Sequence, residues 1–236
     1  MTPIMTTHNM TPAIATALHR LRTWSLFDTL SRQDALWLAT RLRTQTVPTG
    51  HHFFEPDTVD DSLFFTIKGR VRLYRCSSDN RKLTLAILAD GATFGENILY
   101  NRQRHATYAE SLTHVTVGRL YHDDILHLMT NNPQFSRRML SMLGERIQYT
   151  ERLLEERMAK SLPSRLAGLL LHLYRIHGDD GQLRGYTHQS LAEMLGTYRE
   201  TITQSLNDFQ RQEVIGLKRR LIEIFDEDAL SQIAAM

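Results

Sequence analysis

The spacing of apolar positions changes character several times along the chain, and the last helical stretch is the most informative. Between Thr187 and Phe209 the sequence reads THQSLAEMLGTYRETITQSLNDF. Leu191, Ala192 and Leu195 form one side of a short helix, and Gly196 follows where a helix end favours a residue tolerant of positive φ. Ile202, Leu206 and Phe209 then recur at helical spacing. The small Ala192 lets the two helices cross closely, so the stretch predicts a helix-turn-helix. The second helix, expected at about 198–209, leaves Arg199, Glu200, Thr203, Gln204 and Asn207 outward. Arg pairs with guanine edges, Glu accepts from cytosine and Gln pairs with adenine, so this face suits a major groove. An ordinary helical hairpin with a polar outer face has the same spacing. Ser205 departs from the pattern, standing where such motifs usually place an apolar residue.

Upstream, Leu18, Leu21, Trp24 and Phe27, then Leu30, Leu36, Leu38 and Leu42, predict helices between Ala13 and Arg43. Ser31 with Asp34 three residues on is a capping signature for the second of these. From His51 to about Leu120 the pattern shortens to β-rich runs, HFFE, SLFFTI, RVRLYRC, KLTLAIL and THVTVGRL, separated by turn residues. Strands at this spacing predict a compact antiparallel barrel or roll. One segment, FGENILYNRQRHATYAES from Phe94 to Ser111, interrupts the rhythm and reads as a loop. Gly95 permits close backbone approach, Glu96 can accept from hydroxyls and Arg104 can fork onto a phosphate, so the loop is a candidate small-anion cradle. A structural loop tied by a Glu96–Arg104 ion pair fits equally well.

After a short helix at Asp123–Thr130, Asn131-Asn132-Pro133 opens a helix of about 28 residues, roughly 40 Å at 1.5 Å per residue. Phe135, Met139, Met142, Tyr149 and Leu153 make one stripe, and Leu140, Leu143, Ile147, Leu154 and Met158 a neighbouring one. A helix apolar on two sides can serve its own domain with one and pair with a second copy through the other. Burial of both sides within one monomer is the alternative. Pro163 ends or restarts the helix, a buried helix runs to His177-Gly178, and QLRGY suggests a short strand before the opening motif. VIGLKRRLIEIFD reads as two strands with a basic tip at Lys218–Arg220, the wing of a winged helix-turn-helix that can touch phosphates.

Composition narrows the possibilities. With 42% hydrophobic and 23% charged residues in 236, the chain has room for one large domain or two small ones. No apolar run approaches the ~20 residues of a membrane span. The N-terminus lacks the basic start and apolar core of a signal peptide, so a cytoplasmic location is expected. The single cysteine, Cys76, excludes a four-cysteine iron–sulfur cluster and an intrachain disulfide. The scattered histidines offer no metal motif. No nucleophile–base pair or P-loop points to an enzyme. From Ser161 onward there are eight Lys/Arg against ten Asp/Glu, so any positive surface there must be local.

The order of parts, with the motifs LFFTIKGRVRLYR, Phe94-Gly95-Glu96 with Arg104-His105-Ala106, LPSRLAGLLLHL and THQSLAEMLGTYRETI, resembles the CRP/FNR superfamily of bacterial transcription regulators over roughly Leu26 to Phe225. The resemblance implies an α+β chain: N-terminal helices and an antiparallel β roll (double-stranded β-helix or jelly roll) over 13–130, a long dimerisation helix over 131–160, and a winged helix-turn-helix DNA-binding domain over 161–236. It implies a homodimer on a palindromic double-stranded site, acting with RNA polymerase. By position Arg199 and Glu200 match the family's base-reading pair, and Thr187, His188 and Thr201 fall on phosphate-contacting positions. Thr203, Gln204, Lys218 and Arg219 complete the candidate DNA face, with Gln204 replacing a frequent second arginine. Gly95, Glu96, Arg104 and Thr150 fall on the positions that hold a cyclic nucleotide such as cyclic AMP. His105 replaces the usual hydroxyl residue there, and Glu151 replaces a neutral polar one. Cyclic-nucleotide binding, another effector and no small-molecule requirement all stay open. A sensor whose helical tail docks a protein partner is the contrasting function.

Overall fold

A computed structural model describes residues 26–99, 104–178 and 180–236, together with 16, 19, 21 and 24. They form two compact units, one of the described residues up to 73 and within 86–146, the other of those within 74–85 and 147–236. The helix expected to start at Ala13 lies mostly outside the described residues.

The first unit contains helix α1 (Arg32–Ala39), capped by Ser31, whose hydroxyl accepts from the Asp34 amide. Strands follow as β1 (Arg43–Val47), β2 (His52–Phe54), β3 (Ser62–Lys68), β4 (Val71–Cys76), β5 (Lys82–Leu88), β6 (Thr93–Phe94), β7 (Tyr108–Ser111) and β8 (Val115–Tyr121). They make two four-stranded sheets, ordered β1-β8-β3-β6 and β2-β7-β4-β5. The pairings β1–β8, β3–β8, β3–β6 and β2–β7 are antiparallel. Strand β3 is buried on both faces because successive side chains alternate sides. Leu63 and Phe65 enter a cluster with Trp24, Phe27 and Phe135, while Phe64 joins Val71, Phe94 and Val117 in another.

Two expectations are corrected here. Residues 43–47 were expected at a helix end and the break after it, but form β1; four of the five are exposed, so no apolar alternation announces the strand. The expected loop Phe94–Ser111 ends in β7, whose Ala109 is fully buried opposite Phe54 of β2. The strand is four residues long and follows the polar run Arg102-Gln103-Arg104-His105, so its alternation is too brief to read.

Helix α2 (His122–Asn131) leads to the long α3 (Pro133–Ala159), whose first turn is capped by Asn132 accepting from the Phe135 amide at 3.0 Å. Phe135 and Met139 are fully buried. In the second unit, Ser161 caps α4 (Leu162–His177), and β9 (Gln182–Arg184) leads to α5 (His188–Leu195) and α6 (Arg199–Arg211). Strands β10 (Ile215–Lys218) and β11 (Leu221–Ile224) complete a sheet ordered β10-β11-β9. A final helix, α7 (Glu227–Ala235), lies beyond the elements expected from the sequence; Asp226 caps it and Leu230 is fully buried among Leu166, Leu170, Leu206 and Phe209.

Candidate nucleic-acid interface

The two helices of the interface are fixed by local chemistry first. Thr187 and Ser190 form a reciprocal capping box at the start of α5. Gly196 closes that helix in the left-handed region, φ +64°, where a side chain would be strained. Ile202, Leu206 and Phe209 then seat α6 in the apolar cluster, each worth about 1.5–3 kcal/mol on burial. Ser205 is buried as well, and its hydroxyl donates to the Thr201 carbonyl at 3.1 Å, so the polar departure in the motif costs no unpaired group.

With that side buried, Arg199, Glu200 and Gln204 are exposed, and Thr201 and Thr203 are half-buried. The second helix of the motif begins at Arg199 and ends at Arg211. In the wing, Lys218 opposes Leu221 in the strand register, leaving Arg219 and Arg220 as the exposed tip. Arg220 adopts φ +56° and its carbonyl accepts from the Gly185 amide at 2.9 Å. Lys218 pairs with Glu223 at 3.0 Å. A recess is lined by Thr187, His188 and Arg199 together with Lys218, Arg219 and Arg220. The structure thus gathers six predicted or adjacent residues from α5, α6 and the wing around one space. Tyr186, which also lines the recess, was not singled out as a contact by the sequence. Only the fold brings Tyr186 there.

His188 lies between the two helices. Its Nδ1 is 2.8 Å from the Thr203 hydroxyl, which itself lies 2.9 Å from the Arg199 carbonyl. Burial, and secondarily the Arg199 charge, hold the His188 imidazole below the ordinary histidine range. At the start of α6, the Tyr198 hydroxyl donates to Asp79 at 3.1 Å, and the Arg81 guanidinium lies over the Tyr198 ring at 4.3 Å. The hydrogen bond from Ser77, joined by weaker ones from Arg81 and Tyr198, outweighs the opposing desolvation and lowers the Asp79 carboxyl to about 2.

The polar effector-type residues Glu96 and Arg104 have partners within the first unit. Gly95 has φ +87°, and an added Cβ would stand 2.6 Å from the Ser62 carbonyl. Glu96 pairs with Arg146 of α3 at 2.9 Å, while the Arg104 guanidinium donates to the Asp57 carbonyl at 2.8 Å. The alternative of a loop closed by a Glu96–Arg104 pair is therefore corrected: each partner is engaged elsewhere. His105 is buried and stacks on Phe54 with centroids 3.7 Å apart, and its Nε2 has no hydrogen-bond partner among the described residues. Burial pushes its pKa down, with Asp60 and Glu96 opposing in part. Thr150 and Glu151 are exposed on α3, past the division between the units at Arg146. Among the described residues no group of three or more His, Cys, Asp or Glu could hold a metal, and no helix is long and apolar enough to cross a membrane.

A β roll, a long helix and a winged helix-turn-helix in this order define a class of DNA-binding regulators. Residues 44–132 match the cyclic nucleotide-binding domain family, and residues 164–233 match the Crp-like helix-turn-helix domain family. The chain is 27% identical over 202 residues to a CRP-like cAMP-activated global transcriptional regulator of Mycobacterium tuberculosis, covering 84% of this chain and 90% of that protein. It is 29% identical over 199 residues to the global nitrogen regulator of Synechococcus elongatus, covering 81% and 89%. A crystal structure of a regulator of the crp/fnr family from Eubacterium rectale superimposes with a TM-score of 0.80 at 24% identity, covering 90% of this chain and 99% of that one. The chain belongs to the CRP/FNR superfamily of transcription regulators. Its relatives are transcription regulators with helix-turn-helix domains, not enzymes.

Proposed function

We propose that this protein is a homodimeric, sequence-specific DNA-binding regulator that requires no cyclic nucleotide. The observation that carries the reading is the face of α6: Arg199, Glu200 and Gln204 stand open beside a basic wing, while the opposite side of the helix is anchored in the core. Arg199 and Glu200 read base edges, Gln204 reads adenine, and Thr187, His188, Thr201, Lys218 and Arg219 position the phosphate backbone.

The dimer reading rests on α3. Leu140, Ile147 and Leu154 are exposed at seven-residue intervals, with Met158 one turn further on. An apolar stripe of that period is matched by the same stripe of a second copy. Two copies related by a twofold axis would present their recognition helices to half-sites about 34 Å apart. RNA polymerase is the partner through which such a regulator acts, and the cytoplasm is its compartment.

Independence from cyclic nucleotide is supported by the engagement of Glu96 with Arg146 and of Arg104 with Asp57. A buried imidazole on Phe54 stands where the family places a hydroxyl. The mycobacterial relative is named cAMP-activated, whereas the Synechococcus relative is named a nitrogen regulator, so family membership alone does not select this ligand.

The test is binding of the purified protein to a palindromic duplex, titrated with and without cyclic AMP at fixed salt. Tight binding unchanged by the nucleotide is the expected result. Strengthening by cyclic AMP would overturn the independence. Absence of binding to any duplex would favour the sensor that acts through a protein partner.

A further inference from the structure

The recess between α5 and the wing holds one group whose protonation state follows from the hydrogen-bond geometry. The Thr203 hydroxyl has a single hydrogen. It lies 2.9 Å from the Arg199 carbonyl, which can only accept, and 2.8 Å from His188 Nδ1. The hydroxyl therefore donates to the carbonyl and accepts from Nδ1–H. The neutral imidazole carries its free lone pair on Nε2, for which the described residues supply no partner, while the ring lines the recess.

The charges facing this ring are all of one sign. Arg199 approaches from α6, and Lys218, Arg219 and Arg220 from the wing. Tyr186 is the other titratable group of the lining, and Glu223 pairs with Lys218. No carboxylate lines the recess among the described residues. In the free protein burial, and secondarily the Arg199 charge, favours the neutral ring. A phosphate oxygen entering the recess reverses the field, because its negative charge favours the imidazolium form.

Building on the proposed function, we propose that His188 is a proton-coupled phosphate contact: as a DNA phosphate docks in the recess, Nε2 takes one proton from solvent and donates it in a hydrogen bond to a phosphate oxygen. Nδ1–H keeps its bond to Thr203 throughout, so the contact forms without releasing α5 from α6. Lys and Arg phosphate contacts carry their charge at any neutral pH; this one gains its charge only on binding. The consequence is a duplex affinity that increases as pH falls through the histidine range.

The experiment measures affinity of the full chain for a duplex selected from a random pool, at constant salt, from pH 5.5 to 8. Wild type is compared with His188→Gln, whose amide can keep the Thr203 bond, and with His188→Arg. One linked proton changes affinity by at most tenfold per pH unit. We expect wild-type affinity to fall by about tenfold across the range, the Gln variant to lose that component of the slope, and the Arg variant to bind tightly without it. In the wild-type protein, the His188 ring resonance should titrate at higher pH in the duplex complex than free. Equal slopes in wild type and His188→Gln, or an unmoved ring titration, would overturn the inference while leaving the regulator intact. Failure of all three proteins to bind any duplex would overturn the function and this inference with it.

Discussion

Single residues decide both the DNA face and the state of the β roll. Arg199 is exposed at the first position of α6, free to form a paired hydrogen bond with a base edge. Arg199→Ala is expected to cost about 1–3 kcal/mol of duplex affinity and to relax base preference at one position. Competition binding against single-base variants of the site measures both. His105 gives the opposite kind of prediction, about stability. Its pKa is lowered in the folded chain by burial, so the unfolded chain binds more protons below the ordinary histidine range. Stability is then full above about pH 6.5 and falls as pH drops from there toward the lowered folded value, by at most about 1.4 kcal/mol per pH unit. His105→Phe keeps an aromatic ring against Phe54 and removes the titrating group. Urea unfolding at pH 5.5 and 7.5 should show a loss at the lower pH in wild type that the variant lacks. Ser205 shows how local chemistry absorbs a departure from a motif: its hydroxyl finds the Thr201 carbonyl.

At the scale of elements, α3 carries the clearest consequence. Its N-terminal residues Phe135 and Met139 are fully buried, whereas Leu140, Ile147, Leu154 and Met158 are between 59% and 82% exposed, which is why a second copy is the fitting occupant. Placing a charge in that stripe, as in Leu154→Glu, should shift sedimentation from dimer to monomer and weaken palindrome binding. An unchanged sedimentation coefficient, with Ile147→Glu giving the same result, would remove the dimer reading. The elements that escaped the sequence share a cause. Strand β1 is mostly exposed and owes its conformation to pairing with β8, from Arg43 opposite Arg119 to Val47 opposite Val115. Helix α7 is short, and its place comes from Leu230 docking into the cluster around Leu166 and Phe209. Long-range pairing and docking leave little trace in local periodicity.

For the whole molecule, the order of β roll, long helix and winged helix-turn-helix was readable before any coordinates, because each part has its own hydrophobic period. Alternation marked most of the strands, the 3.6-residue spacing marked α3 and α6, and Gly196 marked the turn between reading helices. Those signals are local: they depend on which side of an element is buried, and the sequence writes that down directly. The sequence also showed which residues of α6 stay outward, since Arg199, Glu200 and Gln204 face away from a visible apolar stripe. Tertiary structure alone decided which polar groups are already spent. Glu96 and Arg104 look like a pair in the chain, eight positions apart, yet the fold gives them to Arg146 and Asp57. His188 and Thr203 lie 15 positions apart and meet at 2.8 Å only because α5 crosses α6 closely. Hydrogen bonds and ion pairs are short-ranged, so their partners are set by how elements cross and not by distance along the chain. The sequence therefore determined the architecture and which side of α6 stays polar; packing determined the occupied β-roll polar groups and the partner of the His188 ring.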